Sequence, residues 1–140
     1  MAYITQSDIA SLITQDDLVR AIDDNSDGQP DPGVWDALEL AARETIDGAL
    51  CAVYRTPFAA PPPSIIAAIA KVLVCDMLFR RRGVPDASNP WAKHAAEARQ
   101  TLRRLATGED TINGVTRSAP APILISEPAR TFSESGRILV

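Results

Sequence analysis

Histidine occurs once and cysteine twice in 140 residues, and this scarcity removes most familiar chemistry. A Ser-His-Asp arrangement would have to use His94, which sits in the polar run Lys93-His94-Ala95-Ala96-Glu97 and reads as a residue of a solvated helix face. Zinc held by cysteine and histidine needs spacings such as CxxC or HxxxH, whereas Cys51 and Cys75 stand 24 positions apart. GxSxG, GxxxxGK[ST], GxGxxG and HExxH do not occur. Two cysteines are too few for a disulfide scaffold. Both fall in apolar, helix-like stretches, so they are expected reduced and buried in a cytosolic protein. The acid/base candidates Asp23, Asp24, Asp27 and Glu44 have no histidine, cysteine or glycine-rich partner nearby. No enzymatic activity is expected.

Long apolar runs are also missing. The longest, Ile65 to Phe79, is interrupted by Lys71 and Asp76 and followed by Arg80-Arg81-Arg82. It falls short of the roughly 20 apolar residues that span a bilayer. The opening residues show no basic stretch leading into an apolar run, so no secretory signal is expected. A basic excess is absent too: the net charge is −4, which argues against a dedicated nucleic-acid binder. What is present is a globular composition, 46% hydrophobic and 23% charged, enough to build a core in one domain.

Helical spacing dominates the first 108 positions. Thr5-Gln6-Ser7-Asp8 and Thr14-Gln15-Asp16-Asp17 each place a hydroxyl cap before an apolar run, predicting two short helices that must dock on something larger. Val34 to Tyr54 reads as a long amphipathic helix with Val34, Leu38, Ala41, Thr45 or Ile46, Ala49 and Val53 on one face. Gly48 inside it suggests either a close helix crossing or chance. Arg55 to Pro63, with Pro57 and Pro61-Pro62-Pro63, is a stiff connector. Ser64 is expected to cap a helix from Ile65 to Arg82 that is apolar on most faces and therefore central. Trp91 to Thr107 carries the stripe Trp91, Ala95, Ala98, Leu102 and Leu105, and Gly108 terminates it. The fold class is mostly α: a small bundle of about four to five helices, two of them long and central.

Two features point to binding rather than catalysis. Asp23, Asn25, Asp27 and Gly28 match the start of a calcium loop, D-x-N-x-D-G, with Asp31 at its ninth place. The twelfth place holds Val34 in place of a bidentate glutamate, and Asx turns capping the next helix explain the same residues. Calcium is therefore the one cofactor the sequence raises; otherwise none is expected. Arg80, Arg81 and Arg82 end one helix, and Arg99, Arg103 and Arg104 belong to the next. They complement helix dipoles, or they form a basic edge for an acidic partner or DNA. Beyond Gly108 the period is lost, but apolar clusters persist: Ile123-Leu124-Ile125, Phe132 and Ile138-Leu139-Val140. Such a segment cannot fold alone, so it is either frayed or ordered by a partner. The expected division is a helical domain over residues 1–108 and an extended arm over 109–140 ordered by partner subunits through these apolar residues.

Met1-Ala2-Tyr3-Ile4-Thr5-Gln6-Ser7-Asp8 resembles the start of the Mu-like phage neck proteins. So do, in order, the second short helix, the Asp23 to Asp31 loop, Glu44-Thr45-Ile46-Asp47-Gly48-Ala49-Leu50, Tyr54-Arg55-Thr56-Pro57-Phe58, the triple proline and Leu102-Arg103-Arg104-Leu105-Ala106-Thr107-Gly108. The resemblance covers about residues 1–110 and rests on the order and spacing of these short motifs. It implies a head–tail connector, or adaptor, in the virion neck, made in the bacterial host cytoplasm. Related adaptors form a ring, commonly of twelve copies, beneath the portal protein. They extend the channel for genomic DNA and dock the next neck (stopper) or tail protein, away from any membrane. The alternative is a DNA-packaging or terminase-associated accessory protein using Arg80, Arg81, Arg82, Arg99, Arg103 and Arg104 as a patch. A third reading is a calcium-regulated interaction module on the acidic loop.

Overall fold

The computed structural model describes residues 2–118. Within them lie four α-helices, α1 (Gln15–Ile22), α2 (Val34–Leu50), α3 (Ser64–Arg81) and α4 (Ala92–Thr107), with short 3-10 turns at Gln6–Ile9 and Asp86–Ser88. No strand occurs among the described residues. The mostly α expectation holds.

α3 is the centre. Its apolar residues run round most of its circumference, and Ile66, Ile69, Ala70, Leu73, Val74, Cys75 and Leu78 are all buried. One neighbour cannot cover such a helix. α2, α4, α1 and the first 3-10 turn all pack on it. Each fully buried Ile or Leu contributes about 1.5–3 kcal/mol relative to exposure. α4 runs antiparallel to α3: Asn89, just before α4, bonds Asp76 near the end of α3, while Thr111 and Ile112, just after α4, line one small recess with Pro63 and Ile65 at the start of α3.

Local signals hold where they concern the backbone. Thr5 and Asp8 cap the first turn reciprocally, Thr14 accepts the Asp17 N–H at 3.1 Å, and Gly108 ends α4 with φ of 88°, a left-handed value that glycine adopts without strain. Other expectations change. α2 stops at Leu50, four residues short, and Tyr54 is instead buried beyond a turn. Its inward residues are Leu38, Glu39, Ala42, Ile46 and Leu50; Ala41 and Thr45 face out. Alanine suits either side of a helix, so it does not fix the face. Ser64 is the first helical residue, Pro63 takes the cap position, and no side-chain cap bond forms there. Cys51 is exposed in the turn after α2 and only Cys75 is buried; burial pushes the Cys75 thiol up to about 12. The space on the Cβ side of Gly48 is open, so no close crossing explains that glycine.

The body does not end at Gly108. Ile112 is buried, Val115 is half-buried, and the Ser118 N–H donates to the Val53 carbonyl at 2.8 Å. Residues 109–118, assigned above to the arm, therefore pack on their own subunit. Ile112 supplies the apolar anchor that the loss of helical period concealed.

The N-terminus is tied in by a residue the sequence did not single out. Tyr3 is 4% exposed. Its N–H donates to Glu39 Oε2 (2.8 Å), its hydroxyl donates to Asp47 Oδ1 (2.5 Å), and the hydroxyl accepts the Phe58 N–H (2.9 Å). One side chain thus joins the opening segment, α2 and the proline connector. Burial and the bond to Asp47 hold the phenol well above its ordinary value.

Tyr3→Phe leaves Asp47 and the Phe58 N–H without this partner and is expected to cost about 1–2 kcal/mol in denaturant unfolding. A raised folded value means that the neutral phenol's contribution is complete below about pH 10, the ordinary tyrosine value, and fades as pH climbs above it. The wild-type loss of stability above that pH should be shallower in Tyr3→Phe. Gly48→Ala, unopposed in space, should raise stability by about 0.5–1 kcal/mol.

Candidate functional site

The arginines at the end of α3 are held by their own subunit. Arg80 Nε donates to Asp76 Oδ2 at 2.8 Å, and its Nη1 lies 2.6 Å from Asp86 Oδ1. Arg81 Nε donates to the Ala21 carbonyl at 2.9 Å, and its second nitrogen pairs with Asp24. Arg82 Nη1 donates to Asp17 Oδ1 at 2.7 Å while its guanidinium lies 5.5 Å from the Phe79 ring. Three consecutive cations thus fasten the end of α3 to α1, to the loop after α1 and to the loop before α4. A basic last turn also suits the helix dipole.

Asp76 anchors this end. It is fully buried, and an isolated buried carboxylate is costly unless bonded and paired. It accepts from Arg80 and from Asn89 Nδ2 (2.8 Å), with Arg99 at 3.8 Å. Asn89 in turn accepts the Trp91 N–H at 2.9 Å, so the same amide positions the start of α4.

Arg103 and Arg104 lie elsewhere. Because α3 and α4 are antiparallel, the end of α4 is beside the start of α3. Arg103 is exposed, and Arg104 Nε donates to Asp110 Oδ2 at 2.8 Å. The two arginine groups therefore occupy opposite ends of the α3–α4 pair and do not form one patch. His94 is exposed on α4, 3.5 Å from Glu97 and against the Trp91 ring, in keeping with a solvated face.

The acidic loop keeps three of its four expected ligands together: carboxylate oxygens of Asp23, Asp27 and Asp31 lie within 4.8 Å of one another. Gly28 takes φ of 81°, the left-handed turn expected of it. Asp23 accepts the Asp27 N–H (3.2 Å) and the Gly28 N–H (2.8 Å), and Asp31 accepts the Asp24 N–H. Asn25 does not join the carboxylates through a vacant oxygen; its Oδ1 accepts the Asp27 N–H at 3.0 Å. Val34, at the twelfth place, opens α2. The arrangement is a set of Asx turns between α1 and α2, with Arg81 as the cation that meets it.

A surface cleft of about 670 Å³ opens between the proline connector and residues 113–115, with Arg55, Pro57, Phe58, Pro61 and Val115 in its wall. The buried Tyr54, whose ring lies 6.2 Å from that of Phe58, has a hydroxyl with no partner among the described residues. The lining is mostly apolar, which suits contact rather than proton transfer. The arm residues Ile123, Leu124, Ile125, Phe132, Ile138, Leu139 and Val140 lie outside the described residues.

The pairings predict unequal costs. Asn89→Ala removes a bond to a buried carboxylate and is expected to cost about 1.5–3 kcal/mol. Arg81→Ala and Arg82→Ala break partly exposed pairs, worth less than about 1 kcal/mol each. Urea unfolding monitored by circular dichroism distinguishes these costs.

No curated protein matches the chain. A family model described as Bacteriophage Mu, Gp36 matches residues 3–123. The match takes in nearly all of the described body, from Tyr3 onward, and runs beyond the 1–110 span of the resemblance to reach Ile123. The chain belongs to the Bacteriophage Mu Gp36 family, and it is a bacteriophage protein.

Proposed function

We propose that this phage protein is a head–tail connector of the virion neck. In this reading copies of it form a ring, twelve in number as in related adaptors, under the portal protein. The ring extends the DNA channel and presents a docking surface to the next neck (stopper) or tail protein. The subunits are made in the host cytoplasm and act as structure, without catalysis.

The observation that carries this reading is the family match across the whole helical body. Two physical features support it. The net charge of −4 suits a wall past which DNA slides, since basic contacts would hold phosphates and release counterions on binding. The DNA-packaging or terminase-accessory alternative loses its main support, because Arg80, Arg81 and Arg82 are engaged by Asp76, Asp86, Asp24 and Asp17, and Arg103 and Arg104 sit at the opposite end.

The arm, now beginning after Ser118, supplies apolar groups for a neighbouring subunit, the portal or the next ring. Burying Ile123, Leu124, Ile125 and Phe132 contributes roughly 1.5–3 kcal/mol each before ordering costs.

Light scattering of the protein alone and mixed with the portal of the same phage tests the reading. A ring-sized mass, or co-elution with the portal, is the expected outcome; a monomer that ignores the portal removes it. Deleting residues 119–140 should leave the helical circular dichroism unchanged and abolish incorporation into particles. Unchanged incorporation would refute the role of the arm.

A further inference from the structure

α2 and α4 carry opposite charge. In α2, Asp36, Glu39, Glu44 and Asp47 stand against Arg43, a net of −3; in α4, Lys93, Arg99, Arg103 and Arg104 stand against Glu97, a net of +3. The contrast sharpens on the outermost stripes. At 3.6 residues per turn, Asp36, Leu40 and Glu44 fall opposite the buried Leu38, Ala42 and Ile46. Lys93, Ala96, Gln100 and Arg103 fall opposite the buried Ala95, Ala98, Leu102 and Leu105. All seven stripe residues are exposed. Among the described residues, Asp36, Glu44, Lys93 and Arg103 make no ion pair. Arg43, the cation of α2, is drawn to one side by the buried Glu39. Leu40 is 41% exposed, one of two large apolar side chains left this open among the described residues, and it lies midway between the two acids.

We infer that the outer face of α2 in one copy docks on the outer face of α4 in the next, with Leu40 over the Ala96–Gln100 segment between two charge pairs. The dimensions agree. Asp36 and Glu44 are about 12 Å apart along their helix and Lys93 and Arg103 about 15 Å along theirs. Flexible lysine and arginine stems span the difference. A second copy is the occupant because it carries both complements in equal measure. Nucleic acid would satisfy α4 and be repelled by α2; a basic partner would do the reverse. The two surfaces differ within one subunit, so the contact is head-to-tail and builds a ring or filament rather than a two-fold dimer. Closure into a ring rests on the connector reading above; the contact itself does not.

Sedimentation velocity tests this with the full chain. One variant carries Asp36→Lys with Glu44→Lys, the other Lys93→Glu with Arg103→Glu. All four sites are solvent-exposed, and circular dichroism checks that the helices persist. Each variant alone presents two faces of one sign, so self-association should weaken at least tenfold. Mixed in equal amounts, the reversed α2 face of the first meets the reversed α4 face of the second, the two unreversed faces meet each other, and association should return in alternating order. Raising salt from about 50 mM to about 500 mM should weaken the wild type. Association indifferent to both reversals, a mixture that fails to restore it, or a wild type that stays monomeric at about 1 mM overturns the contact. Portal co-elution is read separately, so failure here and failure of the connector reading are distinguishable.

Discussion

A helix that is apolar round most of its circumference has to be enclosed, and the enclosure of α3 organises the rest of the described body. Ile66, Ile69, Ala70, Leu73, Val74 and Leu78 point to several sides at once, so α3 needs neighbours on several sides. α2 and α4 provide two walls. The side that remains is closed by α1 and the first 3-10 turn, through Ile9, Leu18 and Ile22. Those two elements are too short to persist alone; they are stable as covers for α3. Residues 109–118 serve the same end at the other extremity, where Ile112 covers the start of α3.

Apolar enclosure does not settle where each end of a helix sits, because it is non-directional. Directed polar ties do that here. At the end of α3, Asp76 draws in Arg80 and Asn89, and Arg81 and Arg82 reach α1 and its following loop. At the opposite side of the body, Tyr3 joins the N-terminal segment to α2 and to the proline connector. The Asp76 and Tyr3 ties sit next to the core, where a hydrogen bond to a charged group is stronger than in water and a missing partner is expensive; the Arg81 and Arg82 pairs are partly exposed and weaker.

This division also explains what could be read from the sequence. α4 was legible almost residue by residue, since Ala95, Ala98, Leu102 and Leu105 are apolar, their outward neighbours are polar, and Gly108 closes the helix. α2 was legible as a helix but not as a face, because Ala41 and Ala42, or Ala49 and Leu50, are adjacent apolar pairs of which only one member is fully buried. Tyr3 was not legible as a tie at all: its hydroxyl partners lie 44 and 55 positions away, and no local pattern announces such a bond. Asp76 was visible only as an interruption of an apolar run, although a buried acid in that position demands a donor. The family resemblance reached the phage context directly, while the helical pattern alone did not.

The arginines show why position along a helix decides what a charge can do. At a helix end the chain turns back, and its own loops bring carboxylates within reach: Arg80 finds Asp86, Arg81 finds Asp24, Arg104 finds Asp110. Such cations are satisfied locally whatever the protein's role. Charges on the outward face of a helix have no returning chain beside them. Asp36 and Glu44 on α2, and Lys93 and Arg103 on α4, are in that situation, with Leu40 exposed among them. Solvent accommodates each of these singly. Their sorting by sign onto two different faces is not required by the fold, because either helix would bury the same inward residues with its outer charges exchanged. Assembly with another copy is a role in which that sorting has a physical consequence.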